Sequence, residues 1–443
     1  MDLLSGYKRT TEAWQTLVHV CRRWRYLVFG SPRRLNLQLC CTPQTRVRDK
    51  LNVWPTLPLL IEGILASRDP TDNVIAALGQ SNRLCQVNLR LLGRQLEEIL
   101  APMHVSFPEL TTLRLWSYET PPVIPDSFLG GSAPRLRFLT FDSIPFPGLP
   151  KLLLSATHLV ELSLYGVPHS GYISPEAIVA SLSALSSLIS LRLQFRSPQS
   201  CPDWGSRRPP PPKRSVLPAL GRFYFKGVTE YLEELATRID TPRLSYMNIT
   251  FFNQIDFDCP RLAQFINSTP TLRGGDEAHV QFNARIPNVT LRHRKSGSDK
   301  DDRKVRINIL CREPDWQLSS IEQVCKYLPP LSLVEDLYIE HRYSKPVWKN
   351  DAIENALWLE LLLPFITVKN LYLSNEFAQG IVAALQELVG GRTTEVLPSL
   401  QNILVKGLEQ SGPFQENIGK FISSRQLSDH PIVISAWDND SNM

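Results

Sequence analysis

From Leu110 to Val405 the chain repeats one hydrophobic phrase: an apolar residue, two others, a second apolar residue, one other, and a third. Nine copies stand in order: Leu110/Leu113/Leu115, Leu136/Leu139/Phe141, Leu159/Leu162/Leu164, Leu188/Leu191/Leu193, Leu220/Phe223/Phe225, Leu244/Met247/Ile249, Val334/Leu337/Ile339, Val368/Leu371/Leu373 and Leu400/Ile403/Val405. Their middle residues stand 23 to 34 residues apart, except for one gap of 90 between Met247 and Leu337. The last two apolar positions alternate with their neighbours at the period of a strand, so one side of each predicted strand is buried and the other faces out. One short strand cannot bury its own apolar side. Stacked in parallel, the strands make a continuous apolar layer, and the residues between them must supply the covering return. The segment Ser174 to Leu185 fits such a return, since it opens with Ser-Pro-Glu and carries Ile178, Leu182 and Leu185 at helical spacing. Thr229 to Ile239, Ala356 to Leu363 and Glu376 to Val389 read the same way, the last closing on Gly390 and Gly391 as a helix stop.

Prolines punctuate this pattern. Pro108, Pro134, Pro218, Pro242 and Pro398 each precede a copy by two residues, where a fixed φ favours a turn into the strand. Phrase, period and punctuation together resemble the leucine-rich repeat, whose period is roughly 20 to 29 residues. The resemblance implies an α/β solenoid: a curved parallel sheet with outer helices, serving as a surface that holds partners. The asparagine that often follows the strand in such repeats has no counterpart at the matching place. Residues 108–410 are expected to form the solenoid, with loop insertions near 197–215 and 292–304, after a linker and degenerate first repeats over 36–107 and before a C-terminal cap and tail over 411–443. The long gap leaves room for about three repeats. There Val289-Thr290-Leu291 and Val305 to Ile309 flank the polar stretch Lys295 to Arg303, predicting a loop in a broken repeat or a hairpin insertion. Arg207 to Arg214, with four prolines inside it, reads as a stiff loop between two repeats, the alternative being a polyproline-II ligand for an SH3-type domain.

Composition narrows the function classes. The 443 residues are 43% hydrophobic and 21% charged, as in a globular chain, and no run of about 20 apolar residues marks a membrane span. With no leader pattern at the N-terminus, a cytoplasmic or nuclear location is expected. The eight cysteines show no Cys-x-x-Cys pair, and His279, His293 and His341 are scattered, so no metal, cofactor or disulfide framework is expected. No phosphate-cradling loop or nucleophile elbow is present, and the chain reads as no enzyme. Residues 1–50 hold ten of the Lys and Arg residues and three acids, a local charge of +7 within a total of +5. The body of the chain shows no basic stripe interleaved with aromatic residues, so the expected partners are proteins, with no nucleic acid and no membrane.

The N-terminal residues carry a second resemblance. Trp14-Gln15-Thr16-Leu17-Val18-His19-Val20-Cys21-Arg22-Arg23-Trp24-Arg25-Tyr26-Leu27-Val28, followed by Ser31-Pro32-Arg33-Arg34-Leu35, resembles the C-terminal half of an F-box, as in an N-terminally truncated one. With the continuation through Leu37, Leu39, Trp54 and Pro55, the chain is similar to the F-box and leucine-rich-repeat proteins of mushroom-forming fungi. That resemblance implies residues 1–35 as a short α-helical F-box-like segment that grips a Skp1-like adaptor through Leu17, Val20, Cys21, Trp24 and Leu27. It implies the substrate receptor of a Skp1-cullin-F-box ubiquitin ligase. From the residues alone, those five fall on one face of an amphipathic helix, which is also expected to close the open end of a solenoid, with simple capping as the plainer alternative.

Strand alternation nominates the partner-facing side chains. Arg114, Trp116, Tyr165, Arg192, Arg222, Tyr224, Tyr246, Tyr338 and Tyr372 stand between or beside buried phrase positions and belong to the types enriched in binding hot spots. The alternative to a ligase adaptor is a repeat scaffold or inhibitor that binds a protein without any ubiquitin machinery.

Overall fold

The computed structural model describes residues 20–29, 37–54, 56–65, 71–200, 213–253, 257, 259–293, 304–311, 313–341, 355–388, 392, 394–407, 413–427 and 430–437. The chain divides into two units, Met1–Leu188 and Ile189–Met443. All 27 residues of the nine phrases are buried, none more than 4% exposed.

The first unit contains helix α1 (Arg22–Phe29) and the strands β1 (Leu37–Cys40), β2 (Leu59–Ile64), β3 (Leu84–Leu91), β4 (Thr112–Ser117), β5 (Phe138–Asp142) and β6 (Glu161–Val167). These six strands are parallel and lie side by side in chain order. Helices α2 (Val47–Val53), α3 (Asp72–Leu78), α4 (Gly93–Leu100), α5 (Leu149–Ser155) and α6 (Pro175–Leu182) complete it. The α6 start is built as its sequence predicts: Ser174 Oγ accepts from the Ala177 amide at 3.2 Å, with Pro175 inside the first turn. Between β4 and β6 the filling is aromatic, with Phe128, Phe141 and Phe146 in mutual edge-to-face contact at 5.7–6.2 Å.

The second unit contains β7 (Ser190–Phe195), β8 (Ser215–Val216), β9 (Arg222–Gly227), α7 (Thr229–Arg238), β10 (Ile239–Asp240), β11 (Tyr246–Phe251), α8 (Pro260–Ser268), β12 (Glu277–Phe282), β13 (Asn288–Arg292), β14 (Lys304–Ile309), α9 (Pro314–Tyr327), β15 (Asp336–His341), α10 (Asn355–Leu362), β16 (Asn370–Leu373), α11 (Asn375–Gln386), β17 (Asn402–Lys406), α12 (Pro413–Leu427) and β18 (Val433–Trp437). Its main sheet runs β7-β9-β11-β14-β13-β12-β15-β16-β17-β18, and β8 pairs with β10 separately. Glu233 of α7 serves as the cap of α8, accepting from the amides of Arg261 at 3.0 Å and Leu262 at 2.7 Å. Helix α11 ends at Gln386, earlier than the predicted stop at Gly390 and Gly391, which lie outside the described residues.

The prolines work by closing turns. In Phe107-Pro108-Glu109-Leu110 the Leu110 amide donates to the Phe107 carbonyl at 3.2 Å, and the same bond recurs from Leu136 to Ala133, Leu220 to Leu217, Leu244 to Thr241 and Leu400 to Leu397. Proline at the second turn position presets the backbone for that bond. One carbonyl then takes two successive amides of the next repeat: Arg137 from Val160 and Glu161, Gly221 from Ser245 and Tyr246, Lys369 from Gln401 and Asn402, all at 2.8–3.0 Å. Turn plus forked bond sets each strand in register with the one before it. One strand per repeat, a buried phrase behind it and a helical or irregular return make this an α/β leucine-rich-repeat fold.

The 90-residue gap departs from that rule. Strand β12 pairs in parallel with β15, β14 pairs in parallel with β11, and β13 runs antiparallel between them. The predicted hairpin is therefore present as β13 and β14. The additional strand β12 had a legible entry signal, since Leu272 donates to Thr269 at 3.1 Å across Thr269-Pro270-Thr271-Leu272, the same proline turn. Phe282 of β12 is fully buried against Trp358 of α10 and Phe377 of α11, so the insert belongs to the core.

Candidate functional site

Two surfaces answer to the expected binding roles. The first is the N-terminal helix. Val20, Trp24 and Leu27 are 62%, 47% and 55% exposed, and Cys21 is exposed as well; Leu17 lies outside the described residues. Residues 20–27 are all exposed, so they do not perform the closing of an open solenoid end that an apolar helix there would be expected to perform. An apolar stripe left in water is the usual mark of a surface with a partner.

The second surface is the outward side of the strands, taken unit by unit. In the first unit, register places Arg114 beside Asn88 and Thr140, and Trp116 beside Arg90 and Asp142, with Tyr165 next to Asp142. The Arg90 guanidinium sits 5.2 Å from the Trp116 ring centre. A shallow hollow of about 290 Å³ is lined by Gln38, Leu60, Glu62, Gln86, Asn88 and Arg114 among others, with Gln38 Nε2 donating to Glu62 Oε2 at 2.7 Å. The sequence reading nominated Arg114 here but not the glutamine and asparagine side chains beside it.

In the second unit the outward side chains form continuous rows. Arg192, Tyr224, Asn248, Arg306, Thr290, His279, Tyr338, Tyr372, Leu404 and Ser435 stand opposite one another in turn, one per strand. At one end the Arg192 guanidinium lies 3.7 Å from the Tyr224 ring centre, and Tyr224 lies 5.2 Å from Tyr246. Arg222 is exposed at the start of β9, opposite Tyr246. Asn308 bridges to β11, donating to Asn248 Oδ1 and to the Ile249 carbonyl at 2.7 Å.

Further along, three rings stack. His279 and Tyr338 are 4.3 Å apart and 3° from parallel; Tyr338 and Tyr372 are 4.1 Å apart and 8° from parallel. Trp437 of β18 sets its ring against both tyrosines, at 5.7 and 5.3 Å. These spacings are a little under the 4.8 Å between strands, so the rings stand upright on the sheet. Burial, followed by the neighbouring Tyr372, pushes the Tyr338 hydroxyl well above its ordinary pKa. The interaction with His279, 3.6 Å from Oε2, comes first in holding the Glu277 carboxyl below the usual range; Arg292, donating to it at 2.6 Å, adds to this and burial opposes it. At the strand starts a polar ladder runs from Asn402 to Asn370 at 2.7 Å and from Asn370 to Asp336 at 2.6 Å.

The nominated residues of the second unit thus fall into two clusters, Arg192, Arg222, Tyr224 and Tyr246 in one and Tyr338 and Tyr372 in the other. His279 and Trp437 were missed. His279 read as an isolated histidine, although the alternation Ala278, Val280, Phe282 marks it as outward on a strand. The charge reading also needs correction: β7, β9, β11, β14 and β13 present a basic surface with tyrosines among the cations, which sequence distance had scattered over a hundred residues. Among the described residues no group of three or more His, Cys, Asp or Glu side chains is placed to hold a metal ion, and no helix is long and apolar enough to cross a membrane.

No protein-family model matches the chain, and no curated protein does. Among solved structures, the leucine-rich repeat-containing protein LegL7 from Legionella pneumophila is similar over 90% of this chain and 99% of its own, at 14% identity and a TM-score of 0.28. The leucine-rich-repeat fold stands on this chain's own strand register and buried phrase.

Proposed function

We propose that this protein is a non-catalytic recognition subunit that holds a protein partner on the outward side of its strands. The observation that carries the reading is the row of half-exposed arginine, tyrosine and tryptophan side chains on the second unit, held in fixed geometry by ring stacking. Such side chains lose little freedom on binding and bury large area, which is what an interface anchor requires. Within that reading the chain is the substrate receptor of a Skp1-cullin-F-box ubiquitin ligase, with Val20, Cys21, Trp24 and Leu27, and Leu17 before them, contacting the adaptor. The exposed apolar face of α1 supports this assignment. Ligase chemistry then belongs to the recruited subunits. A scaffold or inhibitor without ubiquitin machinery is the second reading.

Two measurements test these statements. Pull-down with purified Skp1 is expected to retain the chain and to lose it on Trp24→Ala; no retention hands the lead to the scaffold reading. Tyr372→Ala is expected to lower the set of proteins captured by the chain from extract, and unchanged capture would overturn the assignment of the strand face.

A further inference from the structure

Between β7 and β15 the outward face of the second unit changes sign once, from basic to acidic. On β7, β9, β11, β14 and β13 the outward positions carry six cations, Arg192, Arg222, Lys226, Lys304, Arg306 and Arg292, and no carboxylate. On the next two strands, β12 and β15, the outward positions carry Glu277, Asp336 and Glu340 and no lysine or arginine. The seam is closed by the Arg292–Glu277 pair. Beyond it stand the stacked rings of His279, Tyr338 and Tyr372.

We infer that this face takes an acidic segment of a protein partner, laid across β7 to β13, with residues of opposite charge following it toward Glu340. The inference rests on the proposed use of this face for a protein partner and names that partner's chemistry. Four inter-strand steps of about 4.8 Å make the basic half roughly 19 Å wide, the reach of about six residues of extended peptide. Arg222 is exposed and Lys226 half-exposed, with the Lys226 ammonium 5.5 Å from the Phe252 ring, so both cations stand where a carboxylate can reach them. A nucleic acid fits less well. A polyanion of uniform sign that is longer than the basic half runs onto Glu277 and Glu340 and is repelled there, whereas a peptide can change sign where the face does. Complementary segregation of charge fixes direction as well as attraction, since the reversed peptide sets like charges together at both ends.

The test uses the full chain and a fluorescent peptide of six glutamates followed by Gly-Ser-Lys-Arg. A peptide of the same composition in mixed order, a glutamine version and a short oligothymidylate serve as comparisons. The segregated peptide is expected to bind more tightly than the mixed one, and to lose at least roughly tenfold in affinity between about 0.05 and about 0.3 M salt. Arg222→Glu with Lys226→Glu is expected to weaken it at least about tenfold, while Arg135→Glu with Lys151→Glu on the first unit leaves it unchanged. Absence of peptide binding, equal binding of the mixed peptide, insensitivity to the double reversal, or tighter binding of the oligothymidylate each overturns the inference. If the peptide fails while Tyr372→Ala still lowers protein capture, the charge assignment falls alone; if capture is also unchanged, the reading of the face falls with it.

Discussion

Phe282→Ala tests whether the three-strand insert is part of the core or an appendage on it. The Phe282 side chain is fully buried, and its ring lies 6.1 Å from Trp358 and 5.1 Å from Phe377, on two different helices. Truncating a buried phenylalanine to alanine costs about 3–5 kcal/mol, the spread reflecting how well the site collapses. Collapse is hindered here because the two ring partners belong to α10 and α11, whose other apolar faces are already engaged. The expected loss is therefore in the upper half of that range, about 4 kcal/mol. For a unit of this size 1 kcal/mol moves the melting point by about 2–4 °C, so a fall of roughly 8–16 °C is expected. Urea denaturation followed by tryptophan fluorescence gives the free energy. Ile286→Ala, in the β12–β13 connection and 36% exposed, is the matched comparison and should stay within about 0.5 kcal/mol of the parent. A loss under about 1.5 kcal/mol for Phe282→Ala, or one no larger than that of Ile286→Ala, refutes the packing argument.

Three further outcomes are expected. Trp24→Ala should leave the melting temperature unchanged, because the indole is half-exposed and residues 20–27 are all exposed; a fall of several degrees would mean that the helix packs on the body of the protein. Alkylation of the native chain followed by mass mapping should, among the described cysteines, label Cys21 and Cys40 first, both being exposed; Cys41 should stay protected, its thiol pushed up to about 12 by burial and by the adjacent Cys40, and Cys325 should stay protected by burial. Glu277→Gln should lower stability at neutral pH. Since the folded carboxyl titrates below the unfolded value of about 4.3, the advantage of the parent over the variant should hold down to about pH 5 and shrink as the pH falls through the folded value. Denaturant midpoints at a series of pH values measure it, and a gap that stays constant down to pH 3 would contradict the assigned interaction.

The phrase positions were readable because each carries an alternating apolar pair and five of the nine add a proline turn, signals that act within about ten residues. Ser174 as a helix cap was readable for the same reason. Strand direction and partner choice were not: the alternation in Val289 to Leu291 is the same whether β13 runs with or against its neighbours, and nothing local places β12 beside β15 and not beside β11. The basic half of the second unit stayed hidden because Arg192, Lys226 and Arg306 are far apart in sequence and meet only through register. Trp437 was lost for a similar cause, as its strand follows α12 and carries no proline turn. The stack of His279, Tyr338 and Tyr372 joins residues up to 93 positions apart, and only the pairing of β12, β15 and β16 aligns them.

The reversed strand β13 has a consequence of parity. A solenoid advances only if every excursion returns the chain to the sheet pointing the way it left. Three strands, up, down and up, satisfy this, so β14 offers β11 the neighbour an ordinary repeat would have offered, and β12 does the same for β15. An excursion of two strands would hand the next repeat an edge of the wrong polarity and stop the stacking. An excursion at this place in the chain is therefore expected to hold an odd number of strands, and excision of β12 to β14 together would leave β11 and β15 with matching edges.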